Sequence, residues 1–252
     1  MSMSEKLNNV RQSAFAENLK TIGYALLIAL VIRAFLFQPF NIPSGSMIPT
    51  LMIGDYLFVA KYSYGYSKHS LPFSPPIFDG RVFARHPHRG DVIVFKKPTD
   101  NRTDFIKRLI GLPGDKIQMK DGVLYLNDKA VPRVRIEDFV MRDPYGNVQR
   151  VKQYRETLPN GVSYNTLDLT DHGDLDNTGV YVVPPGHYFF MGDNRDNSSD
   201  SRVQSVVGYV PFENLVGKAE LIFFSTNGSA HFWQFWDWPS AIRWNRIFSW
   251  VD

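Results

Sequence analysis

Hydrophobic positions are arranged in two different ways along this chain. Met1 to Lys20 is polar and mixed in charge, and Ile22–Ile32 then runs uncharged as IGYALLIALVI between Lys20 and Arg33. Eleven residues are too few to cross a bilayer. As a helix from Leu19 to Phe37, however, the segment rises about 28 Å, close to the hydrocarbon thickness. Arg33 would lie roughly one turn from the far end, where its head group can snorkel. No small-x-small site follows directly in Ala34-Phe-Leu-Phe-Gln-Pro-Phe, which speaks against a cleaved leader. An uncleaved anchor is expected, with a buried core helix as the alternative. Lys6, Arg11 and Lys20 favour a cytoplasmic N-terminus, with the rest of the chain outside.

After Pro39 the period changes. Short β-branched and aromatic runs stand between turn signals: Tyr56–Ala60, Asp91–Phe95, Ile117–Met119, Val123–Leu126, Tyr188–Met191 and Leu221–Phe224. These predict strands of a mostly antiparallel β domain. Lys129 to Val183 is polar, rich in Asp, Asn, Arg and Gly, and reads as an inserted subdomain on the β core, or else as a set of long surface loops. The pattern thus divides the chain into a cytoplasmic segment (1–18), an anchor (19–37), a β core in two parts (38–128 and 184–230), a cap-like insert (129–183) and a tail (231–252). The fold class expected is mostly β: an antiparallel core with an inserted smaller subdomain, preceded by one transmembrane helix.

Composition narrows the chemistry. The 252 residues contain no Cys. That excludes disulfide scaffolds, thiolate zinc sites, iron–sulfur clusters and a cysteine nucleophile. Lys+Arg 28 against Asp+Glu 25 leaves +3, with the charges interspersed, so no nucleic-acid partner is expected. All five tryptophans fall in the last twenty residues. With Phe232 and Phe235 they suggest a membrane-interface surface, in which Arg243 and Arg246 would meet lipid phosphates. Trp244, Ile247, Phe248 and Val251 recur at helical spacing with the two arginines beside them, as in a helix lying on the membrane; a helix closing onto the β core is the other reading.

Three segments carry candidate chemistry. In Asn41-Ile-Pro-Ser-Gly-Ser-Met-Ile-Pro-Thr-Leu51, Pro43 and Gly45 permit a rigid turn displaying Ser46, with the Ser44 hydroxyl and the Ser46 N–H near one another. A Pro/Gly/Ser linker leaving the membrane has the same composition. In Asp104-Phe-Ile-Lys-Arg-Leu-Ile-Gly-Leu-Pro-Gly-Asp115, alternation puts Lys107 on one strand face with Phe105 and Leu109. There it either loses proton affinity or snorkels at a sheet margin. Met191-Gly-Asp-Asn-Arg-Asp-Asn-Ser-Ser-Asp-Ser-Arg202 reads as a structured acidic loop. It lacks the Gly and Glu of a calcium loop, and Arg195 and Arg202 are placed to neutralise its carboxylates. His86-x-His88 lacks an evident third metal ligand.

Together these segments resemble the bacterial type I signal peptidases, membrane-bound serine proteases of the Ser-Lys type. The matching stretches are Phe40-Asn-Ile-Pro-Ser-Gly-Ser-Met, Asp104-Phe-Ile-Lys-Arg, Gly111-Leu-Pro-Gly-Asp and Gly192-Asp-Asn-Arg-Asp-Asn-Ser-Ser-Asp-Ser-Arg. The resemblance implies Ser46 as nucleophile and Lys107 as general base. It implies Ser44 as oxyanion-hole hydroxyl, Ser198 as the hydroxyl orienting the lysine, and Asp200 with Arg202 as the pair supporting that loop. It places Phe40, Ile42, Pro43, Met47, Asp104, Phe105 and Ile106 along a substrate groove, with Phe105 where a tyrosine is common. It further implies cleavage of exported preproteins at small-x-small sites, no metal or cofactor, contact with membrane lipid, and a single-pass location in the bacterial inner membrane with the catalytic domain on the periplasmic side. Two rival expectations are a self-cleaving repressor-type Ser-Lys protease and a non-catalytic tethered β module.

Overall fold

The computed structural model describes residues 3–71, 74–142, 147–231 and 233–251. It opens on one long helix, α1 (Met3–Phe35), about 50 Å long at 1.5 Å per residue. Its second half, Glu17–Phe35, is long and apolar enough to cross a membrane, and almost none of it is buried against the rest of the protein. The helix stops at Phe35, not at Phe37 as expected. Pro39 offers no N–H to a helical ladder and biases the residue before it toward extended backbone. The chain therefore enters β1 (Phe37–Asn41) almost without a linker.

The expected strands are present, most with slightly shifted ends: β2 (Asp55–Ala60), β3 (Val92–Lys96), β4 (Asp104–Gly111), β5 (Lys116–Lys120) and β6 (Val123–Leu126). The segment expected as an insert supplies β7 (Lys129–Ala130), β8 (Arg133–Arg135), β9 (Phe139–Arg142), β10 (Val148–Thr157), β11 (Ser163–Asp168) and β12 (Tyr181–Val182). Then come β13 (His187–Met191), β14 (Val210–Pro211) and β15 (Leu215–Ser225), with a short helix α2 (Trp238–Ala241) and β16 (Ser249–Trp250) in the tail. β15 is much longer than the apolar run Leu221–Phe224. Its register shifts between Ala219 and Leu221 and again between Ile222 and Phe224, which breaks the alternation that a sequence pattern relies on.

The main antiparallel sheet runs β1-β2-β15-β3-β4-β13-β14, with β16 beside β15. β8, β9 and β11 pair with β10, and β12-β5-β6-β7 form another sheet. β7 and β12, from the two ends of the polar segment, are thereby joined to β6 and β5. One core cluster joins Ile42, Met47 and Leu51 to Leu57, Val59, Val92 and Val94. A flat sheet would hold β1 and β4 about 19 Å apart, four strand spacings. The contact described below between Lys107 on β4 and Ser46 just after β1 shows that the sheet curls round upon itself.

The tail packs back on the β core, as one of its two readings has it, but not as the expected helix. It is not a continuous helix: after α2 come a 3-10 turn at Trp244–Arg246 and then β16. Its backbone is docked, with the Phe248 N–H donating to the Ile222 carbonyl and the Val251 N–H to Glu220. Arg246 and Arg243 are turned to the protein, where both form ion pairs with the fully buried Asp55. The rings are nevertheless exposed: Trp233, Trp236, Trp238, Trp244 and Trp250 keep 44–68% of their surface. Phe232 lies outside the described residues.

Candidate active site

Ser46 sits in a buried 3-10 turn, Gly45–Met47, anchored by Met47 in the core beneath it. Lys107 reaches it from β4. Its Nζ lies 2.7 Å from Ser46 Oγ and 2.9 Å from the Ile106 carbonyl, and the residue is only 4% exposed. The Phe105 ring lies 5.3 Å from the same Nζ. Burial lowers the Lys107 pKa to about 8, against the opposing pull of Asp200 and Asp193. A buried amine with reduced proton affinity, in contact with a hydroxyl, is what proton transfer from that hydroxyl requires. Ser44 Oγ stands 3.4 Å from Ser46 Oγ, on the exposed side of the turn.

The loop after β13 holds this turn from below. The Asn194 N–H donates to the Ser46 carbonyl at 3.1 Å, and its side-chain amide donates to the Gly45 carbonyl at 3.0 Å. Gly192 is required by close approach, because a Cβ there would come within 2.5 Å of the Ser46 carbonyl oxygen and closer still to Ser198 Oγ. Asp200 accepts from the Gly192 N–H and from both Nε and Nη2 of Arg202 at 2.9 Å. Burial pushes the Asp200 carboxyl pKa up, but Arg202 outweighs it and holds the group below its usual value. Ser198 is buried near Asp200, and its hydroxyl has no partner in full hydrogen-bond geometry among the described residues. It is not bonded to Lys107, as a lysine-orienting hydroxyl would be.

The groove residues flank the pair from two sides. Ile42 and Met47 are buried in the core cluster, with Phe40 and Ile106 packed against it. Pro43 and Asp104 are exposed, and Asp104 pairs with Lys96 at 2.9 Å. Among the described residues, β1 pairs with β2 alone, and β13 pairs with β4 only from Arg108 onward. Two strand edges, at β1 and at the first half of β4, are thus left unpaired beside Ser46.

Sequence reasoning missed the group that joins these parts. Arg108, next to Lys107 on the opposite strand face, is fully buried. It forms a two-point pair with Asp193 at 2.8 and 2.9 Å, and bonds Thr50 and the Gly90 carbonyl. Arg195 was expected to neutralise its own loop. It instead pairs with Glu156 of β10 at 2.5–2.8 Å, beside Tyr164 of β11. A second cation in an apolar strand was a visible signal for Arg108. Nothing in the polar run around Glu156 marked it out. His86 and His88 do not converge: His86 lies against Tyr188 and Phe212, while the His88 ring is largely exposed.

Comparison with known proteins gives the family. The family model for signal peptidase, peptidase S26, matches residues 15–224. Signal peptidase I of Rickettsia typhi (strain ATCC VR-144 / Wilmington) is 44% identical over 96% of this chain and 95% of its own. That of Rickettsia canadensis (strain McKiel) is 41% identical over 98% and 97%. A crystal structure of a signal peptidase I from Enterococcus faecalis V583 matches 53% of this chain and 97% of its own at 27% identity. Its TM-score of 0.31 is too low to bear on the fold. With a match across most of its length, the chain belongs to the peptidase S26 family of signal peptidases.

Proposed function

We propose that this signal peptidase cuts exported preproteins through a Ser46–Lys107 dyad and an acyl-enzyme. The observation that carries the reading is the 2.7 Å separation of Ser46 Oγ and Lys107 Nζ inside the fold. Neutral Lys107 takes the Ser46 proton as Oγ attacks the scissile carbonyl. The oxyanion is met by the Ser44 hydroxyl and the Ser46 N–H. Collapse expels the amine of the mature chain, which receives the proton from Lys107. The signal peptide remains as an ester on Ser46, until a water deprotonated by Lys107 releases it. Ser198 orients the lysine once its hydroxyl turns onto Nζ, and Asp200 with Arg202 fixes the loop that carries it.

The substrate enters as an extended segment in the space between the edges of β1 and β4, where its main chain pairs with both. Phe40, Ile42, Met47 and Ile106 leave room for small side chains, with Pro43, Asp104 and Phe105 along the walls, so small-x-small sites are selected by clash. α1 anchors the enzyme once in the inner membrane, with the β core on the outer side. The test is incubation of detergent-solubilised protein with a preprotein bearing an Ala-x-Ala site, followed by mapping of the new N-terminus. Wild type should cut after the second Ala, and Ser46→Ala should be inert while folded. Normal cleavage by Ser46→Ala would overturn the dyad. A non-catalytic tethered module would never give an acylated Ser46 by mass spectrometry.

A further inference from the structure

A cavity of about 540 Å³ opens between the end of α1 and the β domain, and neither Ser46 nor Lys107 lines it. It is lined from the helix by Leu30 and Arg33, from the turn after β2 by Lys61, and from the β3–β4 connection by Lys96 and Arg102. Asp104 is the carboxylate among its lining residues, and it is taken up by Lys96 at 2.9 Å. That leaves Arg33, Lys61 and Arg102 as a positive surplus. Lys61 is the notable member: it is 2% exposed, and its Nζ donates to the Ser70 carbonyl at 2.5 Å. Desolvation and the nearby Arg33 both disfavour its charge. An anion inside the cavity would offset both effects at once.

We infer that this cavity binds the phosphate of an anionic glycerophospholipid at the membrane surface. Arg33 lies in the last turn of the candidate span, so the cavity mouth falls at headgroup level. Below it, Leu30 continues into Leu27 and Leu26 on one exposed helix face, a track for an acyl chain. The phosphate meets Arg33 and Arg102 at the rim, with Lys61 behind. Arginine suits this task because its planar fork matches phosphate oxygens. The other neighbour of the cavity is the substrate groove, through Gln38 and Asp104. On that side, however, the lysine is already neutralised, and the unmatched charge lies toward the helix. The inference rests on α1 crossing a membrane and not on the chemistry at Ser46.

Full-length protein in non-ionic detergent is titrated calorimetrically with dioctanoyl-phosphatidylglycerol, dioctanoyl-phosphatidylcholine and inorganic phosphate. The phosphatidylglycerol should saturate one site, and the double variant Arg33→Gln/Arg102→Gln should bind it about tenfold or more weakly. Both residues are exposed at the rim, so this pair is readable even if Lys61→Met fails to fold; a folded Lys61→Met should weaken binding too. Lys152→Gln, a surface lysine on the insert paired with Asp171, should bind as wild type does. The inference is overturned if the double variant binds phosphatidylglycerol normally, or if phosphatidylcholine binds equally well. It is also overturned if inorganic phosphate displaces the lipid at equal concentration, which would make the site one for a free anion. A raised KM for a preprotein in lipid-free detergent, with lipid binding intact, would assign the cavity to the signal peptide instead. Alkaline carbonate extraction tests the span separately, since a chain released by it is not anchored whatever the cavity binds.

Discussion

Lys107 must be neutral before it can take a proton from Ser46, and its surroundings bring that within reach of ordinary pH. With its pKa lowered to about 8 by burial, the active form is scarce well below that value and dominant above it. Cleavage rate should therefore rise with pH through about 8 and then level off. Lys107→Ala and Lys107→Arg should both be inactive, the second because arginine keeps its proton. A flat pH profile, or an active arginine variant, would remove the base role. Ser44 faces a different demand, since an oxyanion donor acts mainly in the transition state. Ser44→Ala should lower kcat by about 10²–10³ with KM little changed, and Ser44→Thr should retain much of the rate. Weakened binding at normal kcat would move Ser44 into the groove. At this scale each segment alone also fits a plainer reading, a linker at Ser44–Ser46 or a snorkelling Lys107; their order along the chain carries the resemblance, and the fold brings Ser46 and Lys107 to 2.7 Å. The partner of Arg195 was illegible, because a charge can be matched from any part of the chain that folding brings near.

Between elements, the polar strands grip the loop that carries Gly192 to Arg202. The Leu167 N–H of β11 donates to the Asp193 carbonyl, and the Arg195 N–H donates back to Leu167. Asp196 accepts from the N–H groups of Leu169 and Thr170. Glu156 of β10 closes the set by its buried pair with Arg195. Removing one partner of such a pair strands the other without compensation, at about 3–5 kcal/mol. Glu156→Ala should therefore lower stability strongly in urea titrations of the solubilised protein. Glu156→Leu/Arg195→Leu together should cost less than the sum of the two single changes. Additive losses would mean that the pair does not couple the two elements. These strands escaped the hydropathy pattern for a related reason. Beyond a few buried residues such as Val151, Leu158 and Leu167, they stack guanidinium groups on rings. Arg133 lies 4.2 Å over Tyr154, and Arg108 lies 4.2 Å over Tyr164. Polar composition there records cation–π layers, which no alternation of apolar residues reports.

Across the whole molecule, the tail combines a fixed backbone with outward-facing rings. All five tryptophans lie there, so tryptophan emission, excited selectively, reports on the tail alone. In vesicles containing lipids brominated near the headgroup, emission of the full-length protein should be quenched and blue-shifted if the rings lie in the interface. Unquenched emission would place them in water. Sequence showed where the aromatics gather but not how they are held. The clamp is Asp55, nearly two hundred positions away, which binds Arg243 and Arg246 from inside the fold. The opposite end of the chain has its own consequence. α1 stops at Phe35 and β1 starts at Phe37, so Ser46 hangs on a leash of eleven residues. Fully stretched, that leash would reach about 36–40 Å, and its turn before Ser46 shortens it. With α1 in a bilayer, that leash sets an upper limit on how high above the membrane Ser46 stands. Two identical bonds in a preprotein, one within that reach and one far along the emerging chain, should therefore be cut at unequal rates.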